Sequence, residues 1–362
     1  MKKKKLKKKA KVLLIVIISL ASILIISAFS YIFLSIPVDK TSTANIEVTI
    51  KSGMRTSEIA KLLKERGLIR SKLVFTIATK FSGGKTLKAA TYQLQKNMSL
   101  NEVIDILTAG SKYNPDIIRI TFKEGEPLKK YALEISTYTN NTYEDVINTV
   151  SDYNYLNELI NNYWFLTDEI LNTNLYFGLE GYLFPDTYEF ANRKVSVKKV
   201  IETMLNRTEK ELNGYKDDIT SSNKTPHQIL TLASMLELEG KNKDDRKMIA
   251  GVFNNRLEKN MNLGSDVTTY YALQKEMKAD LTAAEFATIN PYNTRASNMG
   301  GKLPVGPICN PSASSIDASI NPTDNNYLFF VADKKGKIYY AKTEIEHQEL
   351  ISEIKSAGNW IW

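Results

Sequence analysis

The chain has 362 residues, 43% hydrophobic and 24% charged, which is enough for an anchor and one or two domains with cores of their own. Its net charge is +8, but eight lysines lie among the first eleven residues and the rest is neutral overall. This excludes the broad basic surface that a nucleic-acid partner requires. One cysteine (Cys309) and two histidines (His227, His347) exclude an intramolecular disulfide and a Cys- or His-rich metal centre. No metal and no cofactor is expected, and any chemistry falls to carboxylates.

Residues 1–11 form a basic leader, and the run from Val12 to Val38 carries no charge. Crossing a bilayer takes about 20 apolar residues. A secretory signal has a shorter apolar region, about 7–15 residues, and then a cleavage site. The longer run without such a site predicts an uncleaved transmembrane anchor over 12–38. Positive flanks stay cytoplasmic. The N-terminus is therefore expected inside a bacterial cell membrane, with everything from about residue 39 outside it.

Residues 46–112 predict a small α+β module. NIEVTI and ATYQLQ have strand composition. TSEIAKLLKERG predicts a helix ended by Gly67, SKLVFTIATKF a second, and SLNEVIDILTAG a third with the Ser99/Glu102 capping-box pair. A new unit is predicted over 117–362. It opens with strand, turn and helix in IIRITFKEGEPLKKYALEI, continues through polar-linked helices over 139–175, and reaches the aromatic stretch EGYLFPDTYEF at 180–190. Helical periodicity then dominates from Val195 to Leu273. YLFFVADKKGKIYYAK predicts a hairpin over 327–342, and EIEHQELISEIKSA a closing helix.

The segment HQILTLASMLELEGKN places Ile229, Leu232, Ala233 and Leu236 on one helical face, with Glu237, Glu239 and Gly240 following. Two residues on a helix are about 200° apart, so the glutamates point to opposite flanks and only one enters a given cleft. Burial of a carboxyl disfavours its charge and suits it to act as a general acid. A solvated role at a helix end fits the same spacing. In the next helix Met248, Ile249, Val252, Phe253 and Leu257 form the apolar stripe, and Asn255 and Arg256 can flank a cleft. Asp266, Thr268 and Tyr271 open a further helix, where Asp266 fits a plain start residue equally well.

Several motifs in fixed order make the chain resemble the MltG/YceG family of endolytic murein transglycosylases. They are EGYLFPDTYEF at 180–190, LASMLELEG at 232–240, VFNNRL at 252–257, SDVTTYYAL at 265–273, NPYNTR at 290–295 and LPVGPICNPSASSIDASINP at 303–322. Departures from the family pattern are Gly264, Val267, Arg295 and Val305. The resemblance implies an α+β protein with one N-terminal transmembrane helix. A LysM-like module and a mainly helical, lysozyme-like catalytic domain ending in a β-hairpin would follow.

The resemblance assigns the catalytic role to Glu239, with Glu237 the lesser candidate. It implies a lytic transglycosylase that cleaves the MurNAc–GlcNAc bond of nascent glycan strands near the membrane. Glu239 would protonate the leaving oxygen and then accept the proton of the C6 hydroxyl, giving a 1,6-anhydro end and terminating strand growth. Tyr182, Phe184 and Tyr188 are expected against sugar faces, and Asp186 and Thr187 on hydroxyls or amides. Tyr292, Asn293 and Thr294 are expected to line the cleft. Expected partners are peptidoglycan strands, the membrane and cell-wall synthases. A non-enzymatic, membrane-anchored peptidoglycan binder and a water-using hydrolase are the alternatives.

Overall fold

The computed structural model describes residues 2–81, 86–111, 113–277 and 279–360, with side chains from Ala10 onward. The side chains of leader residues 2–9 lie outside the described residues. The fold is mixed α/β and mainly helical, with one apolar N-terminal helix, and it divides into two compact units, Met1–Asp116 and Ile117–Trp362.

The first unit begins with α1 (Lys2–Ser35), whose segment Ala10–Ser35 is long and apolar enough to cross a membrane and is exposed as far as Phe33. Strands β1 (Asn45–Ile50) and β2 (Ala90–Gln95) pair antiparallel, from Asn45 opposite Gln95 to Ile50 opposite Ala90. Side chains alternate across a strand, so Val48, Ile50, Tyr92 and Leu94 all point inward. Helices α2 (Thr56–Glu65), α3 (Lys72–Phe81) and α4 (Leu100–Ala109) cover that face with Leu63, Phe75, Val103 and Leu107. At the start of α4, Ser99 Oγ accepts from the Glu102 amide and Glu102 Oε2 accepts from the Ser99 amide. Such a cap stabilises a helix by about 1 kcal/mol.

The second unit starts with β3 (Ile118–Thr121) and the helices α5 (Leu128–Tyr138), α6 (Tyr143–Ser151) and α7 (Tyr153–Asn162). Strand β4 (Thr187–Phe190) returns to pair antiparallel with β3, Ile118 opposite Phe190. Helices α8 (Val197–Leu212), α9 (Lys216–Ser221), α10 (Pro226–Glu239), α11 (Lys243–Glu258), α12 (Asp266–Leu273), α13 (Ala283–Phe286) and α14 (Ala313–Ile320) follow. A hairpin of β5 (Phe329–Ala332) and β6 (Ile338–Ala341) and the helix α15 (Glu344–Ser356) complete it.

Helix α10 is the spine of this unit. Thr225 caps it in a capping box, and Pro226 occupies its first turn, where a missing N–H costs nothing. The single apolar face read from the sequence understates its burial: every residue from Ile229 to Glu237 is buried. Ile229, Leu230 and Ala233 pack into one apolar cluster, and Leu232, Met235 and Leu236 into a second. Each such side chain contributes about 1.5–3 kcal/mol when fully buried. That is enough to hold a partly desolvated carboxyl at the helix end. The segment before α14 straps across α10: Ser234 Oγ accepts from the Ile308 amide, and His227 Nε2 lies 2.9 Å from the Val305 carbonyl.

Candidate active site

The two glutamates at the end of α10 part company as the helical rotation requires. Glu237 turns inward. Its Oε1 pairs with Arg246 Nη2 at 2.7 Å, while its Oε2 accepts from the Ser312 amide (2.8 Å), Ser312 Oγ (2.6 Å) and Ser315 Oγ (2.7 Å). Arg246 also donates to the Gly240 carbonyl at 3.1 Å and to Ser312 and Ser314. Arg246 lies so close over the chain that a Cβ on Gly240 would stand 2.5 Å from its Cγ, which explains the glycine that ends the helix. This buried cluster fixes the last turn of α10 to α11 and α14.

Glu239 turns the other way and lies half-buried on a groove of about 760 Å³. Asp266, Val267 and Tyr270 of α12 and Arg295 line the groove, as do Phe329 and Val331 of the hairpin and Glu344 and His347 of α15. Ser265 Oγ donates to Glu239 Oε1 at 2.5 Å. Burial pushes the carboxyl up to about 7, and the Asp266 charge adds to the rise. The Ser265 hydrogen bond opposes it, as do the charges of Arg295 and Arg256. A carboxyl at that value holds its proton in part of the molecules at neutral pH and can act as both acid and base. Asp266 is tied in an ion pair with Arg295, whose guanidinium lies 4.8 Å from the Phe286 ring centroid. On the far wall, burial holds the His347 imidazole below its usual range.

A second cavity, of about 280 Å³, shares Leu238, Tyr270 and Met277 with the groove. Its wall includes Glu180, 1% exposed, which accepts from the Leu128 amide (2.8 Å) and from Tyr271 Oη (2.9 Å). Burial also raises this carboxyl to about 7, against the pull of those donors.

The residues proposed from sequence divide into three sets. Glu239, Arg256 and Asp266 line the groove. Thr268 and Thr294 stand behind it. Thr294 Oγ1 accepts from the Ser265 amide and lies 2.8 Å from Thr268 Oγ1, so both hold the serine that contacts Glu239. The remainder have structural partners. Tyr182, fully buried, sets its hydroxyl 2.7 Å from His227 Nδ1. Phe184 lies beneath Arg207, and Tyr188 donates to the Phe184 carbonyl. The expectation that these rings meet sugar faces does not match this placement, because their apolar faces fill the core.

Asp186 is exposed but pairs with Arg207 at 3.2 Å, and Thr187 faces Thr121 across the β3–β4 ladder; neither borders the groove. Asn255 donates to the Asn325 and Tyr327 carbonyls. Tyr271 binds Glu180. Tyr292 accepts from the Tyr176 amide, and Asn293 bridges Thr269 to the 286–288 backbone. Glu237, the lesser candidate for the catalytic role, is enclosed with Arg246. Arg256 itself stacks on Phe329 at 5.0 Å and donates to the Leu263 carbonyl at 2.7 Å, joining α11 to the hairpin.

Residues of the site that the sequence did not single out include Ser265, Glu180, Arg246, Tyr270 and Glu344. Ser265 stands where a helix cap is expected, and that position hides its real partner.

Residues 48–353 match the family model described as the YceG-like family. The chain is 34% identical over 324 residues to an endolytic murein transglycosylase of Bacillus subtilis (strain 168), covering 89% of this chain and 88% of that relative. It is 33% identical over 342 residues to an endolytic murein transglycosylase of Streptococcus pneumoniae (serotype 2, strain D39), covering 90% of this chain but 61% of the relative. A yceG-like protein of Listeria monocytogenes with a 2.6 Å crystal structure superposes with a TM-score of 0.61 at 34% identity. That match covers 84% of this chain and 99% of the other. With a family match over most of its length and relatives a third identical to it, the chain belongs to the YceG-like family.

Proposed function

We propose that the chain is an endolytic murein transglycosylase in which Glu239 is the catalytic acid and base. The observation that carries the reading is one carboxyl, raised to about 7 by burial, set on a groove and held by Ser265. Two-carboxylate glycosidases keep a second free carboxylate across the bond. Here the acid beside Glu239, Asp266, is neutralised by Arg295, and the other carboxylate on the groove wall, Glu344, is exposed on α15 and accepts from Gln348.

That arrangement supports a reaction in which the substrate supplies the nucleophile. Glu239 protonates the oxygen leaving MurNAc as the glycosidic bond breaks. The N-acetyl group of the sugar stabilises the charge that develops. The Glu239 carboxylate then takes the proton of the C6 hydroxyl, whose oxygen closes on C1. The products are a 1,6-anhydro-MurNAc end and a free GlcNAc hydroxyl, and the enzyme returns to its protonated state.

The same proposal extends to architecture and place. The apolar α1 supports a single-pass anchor over residues 12–38. The lysine leader supports a cytoplasmic N-terminus and an outward-facing enzyme. A two-stranded sheet covered by helices supports reading residues 46–112 as a LysM-like module. The helical second unit, with its acid at a helix end, supports a lysozyme-like catalytic domain over 117–362. Nascent glycan strands near the bilayer are the substrate, and cell-wall synthases are the candidate partners.

The test is digestion of purified glycan strands by the full chain in detergent and by Glu239→Gln, followed by analysis of the new ends. Anhydro ends from the parent and none from the variant are expected. Reducing ends point instead to a hydrolase, and absence of cleavage points to a wall-binding protein.

A further inference from the structure

Helix α3 shows apolar side chains on two faces. Val74, Phe75 and Ala78 enter the core of the first unit. On the other side Leu73, Ile77 and Phe81 recur at i, i+4 and i+8, so they form one stripe along the helix. They are 69%, 38% and 85% exposed, and Phe81 is more exposed than any large apolar side chain of α1 among the described residues. A parallel row of Lys72, Thr76 and Lys80 runs beside the stripe. An apolar stripe next to a basic row is the pattern of a helix that lies in a membrane interface.

The position of α3 gives that pattern a partner. Arg70, just before the helix, lies 5.3 Å over the ring of Phe33 near the end of α1. Its guanidinium also donates to the Pro37 carbonyl at 2.8 Å and the Val38 carbonyl at 3.2 Å. Leu34 packs against the core of the same unit, and α1 touches α3. The first turn of α3 is thus pinned where the apolar run of α1 ends. Phe81 is eleven residues beyond Arg70, about 16 Å along a helix. Measured along the helix, no residue of the stripe is more than about 16 Å from Arg70, which contacts the end of α1.

We propose that α3 lies in the headgroup layer of the membrane crossed by α1, with Leu73, Ile77 and Phe81 entering the acyl boundary and Lys72 and Lys80 meeting anionic headgroups. This rests on α1 spanning the bilayer. It makes the first unit a second, interfacial attachment that lies on the membrane rather than swinging from the anchor.

The full chain carrying Phe81→Cys, labelled with an environment-sensitive fluorophore, tests this; Cys309 is fully buried, which directs the label to the new site. Lys61→Cys on the exposed side of α2 serves as the control. The protein is placed at one copy per disc in nanodiscs of phosphatidylethanolamine and phosphatidylglycerol, and also at many copies in vesicles of the same lipids. The expected result is blue-shifted emission at position 81, with iodide quenching at least about threefold weaker than at position 61 in both settings. Equal quenching at the two positions in a chain that floats with vesicles overturns the proposal. Shielding in crowded vesicles but not in single-copy discs also overturns it, because a second copy then covers the stripe. Failure of the chain to float with vesicles overturns the anchor reading itself, and the proposal with it.

Discussion

The hydroxyl of Ser265 donates to Oε1 of Glu239 at 2.5 Å, although Ser265 occupies the N-cap position of α12 and makes no side-chain cap there. The hydrogen bond stabilises the ionised carboxylate and so restrains a rise caused by burial. Activity that needs the protonated acid should fall as pH climbs through about 7, where Glu239 ionises. Ser265→Ala removes the restraint, and the alkaline limb of kcat/KM should move to higher pH. Asp266→Asn removes a neighbouring negative charge and frees Arg295, so the same limb should move to lower pH. Opposite movements of the two variants are the checkable outcome; movement in the same direction contradicts the stated causes.

Glu239→Gln should lower the rate of glycan cleavage by about 10²–10⁴-fold, the usual worth of a positioned acid–base group. Its thermal midpoint at pH 4 should match that of the parent, because the carboxyl is then mainly protonated in both the folded and the unfolded chain and glutamine is nearly isosteric with it. End-group analysis and a melting curve on the same preparation separate loss of chemistry from loss of fold.

Two positions earlier the opposite is expected. Glu237 and Arg246 form a buried ion pair, and removing one partner strands the other charge away from water. Arg246→Ala should destabilise the second unit by about 3–5 kcal/mol, read as a lowered denaturation midpoint. Cleavage should fall only as far as the fraction folded falls.

Glu180 gives stability its own pH dependence. Its folded value near 7 exceeds the ordinary 4.5, so between those two values the native state holds a proton that the unfolded chain has released. Stability contributed by the group is complete below about 4.5 and is lost as pH rises to about 7. The loss is about 3 kcal/mol for a shift of this size. Glu239 titrates over the same window. Glu180→Gln should flatten the decline without abolishing it, as measured by chemical denaturation at pH 5, 6, 7 and 8.

Gly181 has φ of +82°, and a Cβ there would stand 2.3 Å from Pro307. Gly181→Ala combines left-handed strain with a clash against the strap that crosses α10. It should cost about 2–4 kcal/mol, visible as a drop in the thermal midpoint.

Much of the local structure could be read from the residue order. The 27-residue uncharged run, the alternation in NIEVTI and ATYQLQ, the Ser99/Glu102 cap and the hairpin near the C-terminus all carry signals within a few residues of one another, and local periodicity reports them. The 180–190 stretch was less legible. Its strand is four residues long, and its aromatics enter one core against different neighbours, Tyr182 on Phe165, Phe184 under Arg207 and Tyr188 on Phe122, so no period marks them. Tyr182 and Tyr188 read as sugar platforms because aromatic residues suit both a core and a carbohydrate face. Only burial tells the two apart.

The sequence by itself determined that only one of the two glutamates could face a given cleft, because helix geometry separates Glu237 from Glu239 by about 200° whatever surrounds them. Tertiary structure decided what each one meets. Arg246 and Ser312 reach Glu237 from 9 and 75 residues away, and Ser265 reaches Glu239 from 26. The raised carboxyl depends on desolvation by the packed surroundings and on charges brought in by the fold. Those are sums over neighbours in space, and no spacing along the chain encodes them.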